Sequence, residues 1–371
     1  MPSRNSLDLH RQVGQLLIMG FDGTDVSARL RTLFGTLQPG GIILFKRNVE
    51  EAAQVHALLR YAQSDVATPM FLCVDMEGGS VDRLRDAIAP VPPVADVAET
   101  RSPKLFRKFG RLIGEEVRAL GFNTDFAPCV DLQLPPSKKV LGSRTVSDDP
   151  RLTLRFAREF LRGLSKANVL GCGKHFPGLG EAGLDSHVEL PTVNKPWKRL
   201  WKEDLRPYRQ LRKNVPMVMV AHASYPDVTH DKLPASLSKH WITDILKKKI
   251  GFRGLVVSDD LEMGGVLAAA PIEEAAIQTL VAGSDLMLIC HKEEHVSRVF
   301  EAVCKHAESD RRFAKLIAAK AKRVLQFKKQ SSELRERRAP RPTPKTVDKL
   351  CRRIWEFTEE VRLTASAEAP N

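Results

Sequence analysis

The chain has 371 residues, 43% of them hydrophobic and 28% charged, which is enough for one large domain or two ordinary ones. No apolar run approaches the roughly 20 residues that cross a bilayer, and the first fifteen residues lack the features of a secretory signal. Six scattered cysteines lack pair spacing, so we expect reduced core thiols, no disulfide framework and no C-x-x-C zinc site. These features predict a cytoplasmic protein without a membrane span.

The formal net charge of +13 comes from one region of the chain. Residues 311–353 contain 16 Lys and Arg against 3 Asp and Glu, whereas the remainder holds 42 of each kind. A uniformly basic nucleic-acid-binding protein is therefore not expected. The basic region could contact a nucleic acid or a membrane surface, but a charge run is more often a solvated face.

Short β-rich apolar runs recur along the chain, and each is followed by a segment with apolar residues at the 3–4 spacing of a helix. The runs cover 15–21, 40–48, 69–77, 123–132, 169–176, 215–223, 254–261 and 284–292. They show little alternation, which is typical of strands covered on both faces. Eight such units predict a (β/α)8 barrel of the TIM type. A doubly wound sheet is the alternative, less favoured because it rarely needs eight strands.

The chain after the eighth run divides into three parts. Residues 311–329 are predicted to form a closing helix, and 330–345 form a linker rich in Pro and Arg. An apolar stripe then predicts a helix over 346–363, docked on the barrel. We therefore expect a single catalytic domain at 1–329, the linker at 330–345, and a C-terminal helix and tail at 346–371.

Nearly every predicted strand ends in polar or ionisable residues. In barrel enzymes the carboxyl ends of the strands carry the active site, so this pattern predicts a polar catalytic mouth. These residues are Asp22, Lys46, Arg47, Asp75, Glu77, Asp131, Lys174, His175, His222, Asp259, Asp260, His291 and Lys292.

The most informative segment is KHFPGLGEAGLDSHVELP, at 174–191. Lys174 and His175 end the fifth predicted strand, and a glycine-rich loop follows. Asp185 and His187 are two residues apart, and a nearby carboxylate favours the imidazolium that a general acid needs. The alternative is a turn with a capping Asp and a surface His.

The segment VVSDDLEM, at 256–263, ends the seventh predicted strand. Asp259 is the first charged residue after a buried strand, so it could be a nucleophile, a base or a metal ligand. Asp260 could point away or cap the next helix, and an N-cap pair is the alternative for both. Asp75, Arg83 and Arg144 are candidate contacts for hydroxyls or an anionic group. No phosphate-loop pattern and no clustered His ligands are present, so no cofactor and no metal are expected.

Together these segments resemble glycoside hydrolase family 3, and specifically its bacterial β-N-acetylglucosaminidases of the cell-wall recycling type. The motif K-H-F-P-G-x-G-x4-D-S-H stands at 174–187 and S-D-D-L-x-M at 258–263. The segments VDMEGG, NTDFAPCVDL, VMVAHASYPD and PASLSKHWITDILKKKIGFRG match in the same order, over roughly residues 10–300. The length matches the single-barrel members of the family, so the second, sandwich domain of many family glucosidases is not expected.

The resemblance implies a role for each matching residue. Asp259 is similar to the nucleophile of a retaining glycosidase, His187 to its acid/base, and Asp185 to the residue that orients and charges this histidine. The positions that grip the non-reducing N-acetylglucosamine ring are matched by Asp75, Arg83, Arg144, Lys174 and His175. The implied partner is a carbohydrate, an N-acetylglucosaminyl-1,6-anhydro-muropeptide or a chitooligosaccharide, and the expected state is a monomer.

The sequence departs from the family pattern at three places. Leu179 stands where His is frequent, Ser80 where Arg is common, and Thr145-Val146 where R-S-F is typical. None of them removes a catalytic group. Two other readings remain open: a phosphorylase, in which phosphate intercepts the glycosyl-enzyme, and a sugar-binding protein without turnover.

Overall fold

The computed structural model describes residues 4–183, 190–335 and 339–368. Eight parallel strands form a closed barrel in which each strand pairs with its neighbours in sequence and the last pairs with the first. This is the predicted (β/α)8 architecture, which is confirmed. The strands are Leu17–Met19 (β1), Gly41–Leu44 (β2), Phe71–Val74 (β3), Thr124–Asp125 (β4), Leu170–Phe176 (β5), Met217–Val220 (β6), Leu255–Asp260 (β7) and Leu286–Ile289 (β8).

The strands are shorter than the apolar runs that predicted them, and β4 differs most. Only Thr124 and Asp125 pair on both sides, where a strand over 123–132 was expected. The ladder cannot continue regularly because Pro128 has no N–H to donate. Instead, the carbonyls of Ala127 and Pro128 accept hydrogen bonds from β5, and Asp131 is brought beside the end of β5.

One principal helix follows each strand and covers the barrel. These helices are Ala28–Leu37 (α1), Ala52–Ser64 (α2), Pro103–Ala119 (α3), Pro150–Lys166 (α4), Leu205–Leu211 (α5), the π-helix His240–Lys249 (α6), Ile272–Ala282 (α7) and Glu293–Ser309 (α8). Other helices, most of them short, lie in the connections and at the start of the chain: Arg4–Gly14, Lys46–Asn48, Val94–Glu99, Pro135–Ser137, Lys138–Leu141, Gly142–Arg144, Trp197–Lys202, Pro226–Thr229, Ala235–Leu237, Gly264–Leu267 and Ser332–Arg335. A small hairpin joins Met76–Gly78 to Val81–Asp82 beside the mouth.

Helices α3 and α4 lie unusually close together, and glycine allows this. A Cβ atom at Gly110 would lie 2.2 Å from the carbonyl oxygen of Phe160, and one at Gly163 would lie 2.4 Å from the backbone nitrogen of Arg111. Both helices begin at a side-chain cap, Ser102 for α3 and Asp149 for α4, followed by proline. The two helices that flank β4 in the chain are therefore packed directly against each other.

The first part of the basic region forms the helix Arg311–Gln330 (α9), which lies across the amino ends of the strands. Lys320 donates to the carbonyl of Ser284 before β8, and Lys328 donates to that of Gly40 before β2. Both lysines are buried. The expectation of a wholly solvated charge run is therefore wrong for these two residues, because backbone carbonyls at the amino ends of the barrel strands accept hydrogen bonds from them.

The last helix extends over Pro344–Glu368 (α10), longer than predicted. Its apolar stripe, Leu350, Ile354, Phe357 and Val361, is buried. Phe357 stacks on Phe109 of α3 with ring centroids 5.7 Å apart, so α10 is docked on the barrel. Among the described helices, none is long and apolar enough to cross a membrane.

Candidate active site

The carboxyl ends of the barrel strands surround one cavity of about 150 Å³. Six of the eight residues that the sequence proposes for the site line it: Asp75, Arg83, Arg144, Lys174, His175 and Asp259. They come from segments that are up to 184 positions apart in the chain, and the closed barrel brings them together. The cavity lies at the end of the barrel where the family of (β/α)8 enzymes carries its active sites.

The other two proposed residues, Asp185 and His187, lie outside the described residues. The described start of their loop is attached to the barrel at two points. The backbone N–H of Leu179 donates to Asp131 Oδ1 at 2.7 Å, and the hydroxyl of Tyr225 donates to the carbonyl of Gly178 at 2.9 Å. Both anchoring side chains are buried. The loop therefore leaves β5 from a fixed position beside the cavity.

Four charged side chains form a network on one wall of the cavity. Lys174 Nζ, on β5, lies 2.6 Å from Asp75 Oδ1 after β3 and 2.6 Å from Glu77 Oε1 in the hairpin. Arg144 donates from Nε and Nη2 to the two carboxylate oxygens of Glu77, at 2.8 and 2.9 Å. The network holds two cations and two carboxylates in fixed positions around the cavity.

The pKa values in this network move in the directions that keep it charged. Burial alone would raise the pKa of Glu77, but Arg144 and Lys174 outweigh it and hold the pKa far below its ordinary value. Burial alone would lower the pKa of Lys174, but Asp75 and Glu77 outweigh it and raise that pKa. The wall therefore presents charged hydrogen-bonding groups at neutral pH.

A second pair joins His175 to Asp131. His175 Nδ1 lies 2.6 Å from Asp131 Oδ2, and its Nε2 lies 3.4 Å from Arg144 Nη2 at the cavity. Burial alone would raise the pKa of Asp131, but His175, the Leu179 N–H and the Cys129 thiol outweigh it, so the pKa is lowered. The carboxylate therefore stays ionised beneath the imidazole.

The two carboxylates at the end of β7 have different surroundings. Asp260 also lines the cavity, and the next helix has Met263 as its N-cap, so neither alternative for Asp260 describes it. Its Oδ1 accepts from the backbone N–H groups of Glu262 and Cys290, and its Oδ2 lies 3.3 Å from His291 Nε2. Asp259 accepts only from the Asp260 N–H within the described part of the chain, and it lines the cavity. Its carboxylate is free to meet a ligand.

The pKa of Asp259 is lowered. Burial alone would raise it, but the electrostatic effect of the nearby His175 and His222 imidazoles and the hydrogen bond from the Asp260 N–H outweigh burial. His222 itself is fully buried, and its Nε2 donates to the carbonyl of Asp260 at 2.8 Å while Ser236 donates to its Nδ1 at 2.6 Å. Asp259 is therefore an ionised carboxylate held at the end of a rigid strand.

Arg83 also lines the cavity, near an aromatic ring. Its guanidinium is 5.8 Å from the ring centroid of Phe45, and its buried Nε has no hydrogen-bond partner among the described residues. Phe45 stacks on His291, with ring centroids 5.5 Å apart. This part of the cavity wall therefore places a cation beside an aromatic ring on which His291 already stacks.

Glu77, Asp131 and His222 belong to the site although the sequence did not single them out for a role. All three were visible as polar residues at the ends of predicted strands. That signal places a side chain at the mouth but does not tell which partner it meets. Their functions depend on contacts across the barrel that only the fold defines.

Cys129, Asp131 and His175 have potential metal-ligating atoms within 4.8 Å of one another. These atoms are already hydrogen-bonded, because the thiol of Cys129 and the imidazole of His175 both donate to Asp131 Oδ2. Burial raises the pKa of the Cys129 thiol well above its ordinary value, which disfavours the thiolate that a metal needs. The cluster fits a hydrogen-bonded group better than a metal site.

The departures from the family motif have different settings. Leu179 is buried in an apolar cluster with Val130 and Phe176, and it also lines the cavity. Ser80 is exposed at the turn of the hairpin. Thr145 and Val146 are buried. Leu179 is thus accommodated by packing, and it makes part of the cavity wall apolar.

A sequence model of the N-terminal domain of glycosyl hydrolase family 3 matches residues 8–327. The chain belongs to glycosyl hydrolase family 3. The β-hexosaminidase of Bordetella parapertussis is 38% identical over 263 residues, covering 69% of this chain and 74% of the relative. That of Idiomarina loihiensis is 32% identical over 290 residues, covering 77% and 87%. The predicted family and the predicted enzyme class, a glycosidase of the β-hexosaminidase type, are confirmed.

Solved structures agree with this assignment. A family 3 β-N-acetylglucosaminidase from Paenibacillus sp. str. FPU-7 has a TM-score of 0.89 and 34% identity, covering 95% of this chain and 68% of that one. NagZ from Neisseria gonorrhoeae, in complex with N-trifluoroacetyl-D-glucosamine, has a TM-score of 0.75 and 25% identity, covering 96% and 98%. The barrel of this family 3 enzyme is thus shared along nearly its whole length.

Proposed function

We propose that this family 3 enzyme is a retaining β-N-acetylglucosaminidase that removes non-reducing terminal N-acetylglucosamine from β-linked substrates. Asp259 is the nucleophile, His187 the acid/base, and Asp185 the residue that orients and charges His187. The proposed catalytic unit is residues 1–329, followed by the linker predicted at 330–345 and the C-terminal helix and tail predicted at 346–371, with the helix already beginning at Pro344.

The observation that carries the proposal is the state of Asp259. Its carboxylate lines the cavity, its pKa is lowered, and it has no ion-pair partner among the described residues. A nucleophile must be ionised and must be accessible from the cavity that receives the sugar, and Asp259 meets both requirements. The neighbouring Asp260, of the same residue type, is engaged by backbone N–H groups and His291.

The charged wall suits a sugar ring. Carboxylates accept hydrogen bonds from hydroxyl groups, whereas Lys174 and Arg144 donate to them, so the wall can bond vicinal hydroxyls with both kinds of partner. The cavity volume of about 150 Å³ is below that of pockets for drug-sized ligands, and one sugar ring is the size it favours. Asp75, Arg83, Arg144, Lys174 and His175 are the residues proposed to hold that ring.

The reaction proceeds in two steps. His187 protonates the leaving oxygen while Asp259 attacks C1, which breaks the glycosidic bond and forms a covalent glycosyl-enzyme. The imidazole, now deprotonated, takes a proton from water, and this water attacks C1 and releases Asp259. The sugar leaves with its original configuration because C1 is inverted twice.

The physiological substrate class that we propose is the N-acetylglucosaminyl-1,6-anhydro-muropeptides of peptidoglycan recycling. The resemblance of the 174–187 motif to the cell-wall recycling enzymes supports it. The test compares release of N-acetylglucosamine from an anhydromuropeptide disaccharide and from chitobiose. Faster release from chitobiose would contradict this assignment, and an aryl glucoside cleaved as fast as the aryl N-acetylglucosaminide would contradict the sugar specificity.

A fluorinated N-acetylglucosamine analogue that traps the intermediate tests the nucleophile. We expect mass spectrometry to find the label on Asp259, and Asp259→Asn to lose turnover by several orders of magnitude. Asp260→Asn is the matched control, because an amide oxygen can still accept the two backbone N–H groups that bond Asp260 Oδ1. Label on another residue of an active enzyme would overturn the assignment.

The same assay separates the proposed hydrolase from the two alternatives. Products with and without inorganic phosphate are compared. A sugar 1-phosphate formed in place of the free sugar would identify a phosphorylase, and sugar binding without any product would identify a binding protein.

A further inference from the structure

We infer that Asp131 is a positioning residue: it holds His175 with Nε2 directed to the cavity as a hydrogen-bond acceptor, and it joins this imidazole to the start of the acid/base loop. The inference rests on the proposed function, in which His175 contacts the sugar.

The contacts of Asp131 form one closed set. Oδ2 accepts from the His175 backbone N–H at 3.2 Å, from His175 Nδ1 at 2.6 Å and from the Cys129 thiol at 3.3 Å. Oδ1 accepts from the Leu179 N–H at 2.7 Å. Asp131 is 1% exposed. Four donors converge on one buried carboxylate, so it has a single orientation and stays ionised.

This arrangement decides which ring nitrogen carries the proton. A carboxylate oxygen only accepts, so Nδ1 of His175 must be the protonated nitrogen. At the other end of the ring, Arg144 Nη2 lies 3.4 Å from Nε2 and can only donate. The contacts on both sides therefore favour the neutral Nδ1–H tautomer. Its Nε2 lone pair faces the cavity, and because the 3.4 Å contact with Arg144 is long for a hydrogen bond, a substrate hydroxyl can replace Arg144 as the donor.

The same carboxylate links two parts of the site. His175 belongs to β5, whereas Leu179 begins the loop that continues to His187. Because both bond to Asp131, the ring that contacts the sugar and the start of the loop share one buried support. Asp131 itself is not among the residues that line the cavity, so it acts through His175 and Leu179 rather than on the substrate.

The first measurement uses the unaltered protein. With ¹⁵N-labelled histidine, the nitrogen resonances of His175, assigned by their loss in His175→Gln, should show protonated Nδ1 and unprotonated Nε2 at neutral pH. A wild-type ring protonated on Nε2 alone would overturn the inference, whatever the behaviour of any variant.

The second measurement is a double-mutant cycle between the two residues. In Asp131→Asn the amide group would donate towards Nδ1, so the proton should move to Nε2 and the acceptor should be lost. We expect kcat/KM for an aryl N-acetylglucosaminide to fall by about tenfold or more. When His175 is already replaced by Gln, the further change Asp131→Asn should lower kcat/KM by less than about twofold, because the two residues act as a unit. Additive losses would contradict the inference.

Cys129→Ser is the matched control, since it changes another donor to the same oxygen without touching the imidazole. It should keep the wild-type tautomer and kcat/KM within about twofold. If the wild-type protein releases no N-acetylglucosamine, the proposed function fails while the tautomer result stands. If an active protein shows the opposite tautomer or additive losses, only the positioning role fails.

Discussion

The guanidinium of Arg144 donates to both carboxylate oxygens of Glu77, from Nε at 2.8 Å and from Nη2 at 2.9 Å. Glu77 is 1% exposed, so its carboxylate is removed from water, whereas Arg144 reaches the cavity. A planar fork of two parallel hydrogen bonds fixes orientation as well as charge. Arg144 is thereby held at the cavity in one position, and Lys174 shares the same carboxylate.

Glu77→Gln tests this support. This substitution removes the buried negative charge that Arg144 and Lys174 share. Removing one partner of a buried ion pair lowers the free energy of unfolding by about 3–5 kcal/mol. We expect the free energy of unfolding in urea to fall by this order and the KM for the sugar to rise. The exposed pair Lys46–Asp86 is the control, and Asp86→Asn should change neither quantity measurably. Equal effects of the two substitutions would contradict the structural role of Glu77.

The fold and the placement of Asp259 could be predicted because they depend on local patterns. Eight apolar runs with intervening helical spacing give the barrel, and a charged residue that follows a buried strand must lie at its carboxyl end. The docking of α10 was visible in the same way, as an apolar stripe at helical spacing that needs a surface to cover it.

The pairings inside the site could not be predicted in this way. His175 and Asp131 are 44 positions apart, and Arg144 and Glu77 are 67 apart. Their contacts depend on strand register and on the irregular path after β4, which no short pattern in the sequence specifies. The buried lysines of α9 were missed for a similar reason, since a basic run gives no sign of the carbonyls that lie beneath it.

Glu116 of α3 is a buried acid without a partner. It is 0% exposed, and neither carboxylate oxygen has a hydrogen-bond partner among the described residues. Burial, together with the charges of Asp82 and Asp125, raises its pKa well above the ordinary value. The folded protein therefore binds a proton at this site that the unfolded chain releases above about pH 4.3.

Glu116→Gln should remove this source of pH dependence. Because the folded state binds the extra proton, the contribution of Glu116 to the free energy of unfolding falls as pH rises above about 4.3. The variant should therefore gain stability over the wild type as pH increases from 5 to 8, with a slope of at most about 1.4 kcal/mol per pH unit. Urea unfolding of both proteins across this range measures it, and a difference independent of pH would refute it.

Lys328→Met should change the pH dependence of the free energy of unfolding in the sense opposite to that of Glu116→Gln. Burial lowers the pKa of Lys328 to about 7, and its amine donates to Gln15 Oε1 and to the Gly40 carbonyl. Between about pH 7 and 10.4 the unfolded chain binds the proton that the folded protein lacks, so this lysine makes stability rise with pH. The variant should lose that rise.

The measurement for Lys328 is urea unfolding between pH 6 and 9.5. Lys329→Met is the control, because the neighbouring Lys329 is exposed and should leave the pH dependence as in the wild type. A wild-type slope that survives in Lys328→Met would show that this lysine is not its source.

The role of His187 can be tested by the leaving group. A general acid matters most when the departing oxygen is a poor leaving group, because a good one needs little protonation. In His187→Ala, glycosylation should therefore slow by about 10²–10⁴-fold for alkyl or sugar aglycones and much less for dinitrophenyl glycosides. Asp185→Asn should move the high-pH limb, which reflects loss of the His187 proton, to lower pH, since removing the carboxylate lowers the pKa of the histidine.

Equal losses for good and poor leaving groups would mean that His187 is not the acid. Glu181, on the same loop, would be the first substitute by position. Its Oε1 lies 3.1 Å from Arg199 Nη2 and 3.5 Å from Lys195 Nζ, and it is not among the residues that line the cavity. A carboxylate engaged by two cations away from the sugar is poorly placed to donate a proton to it. Glu181→Gln should therefore leave the dependence on leaving-group pKa unchanged, whereas His187→Ala should steepen it.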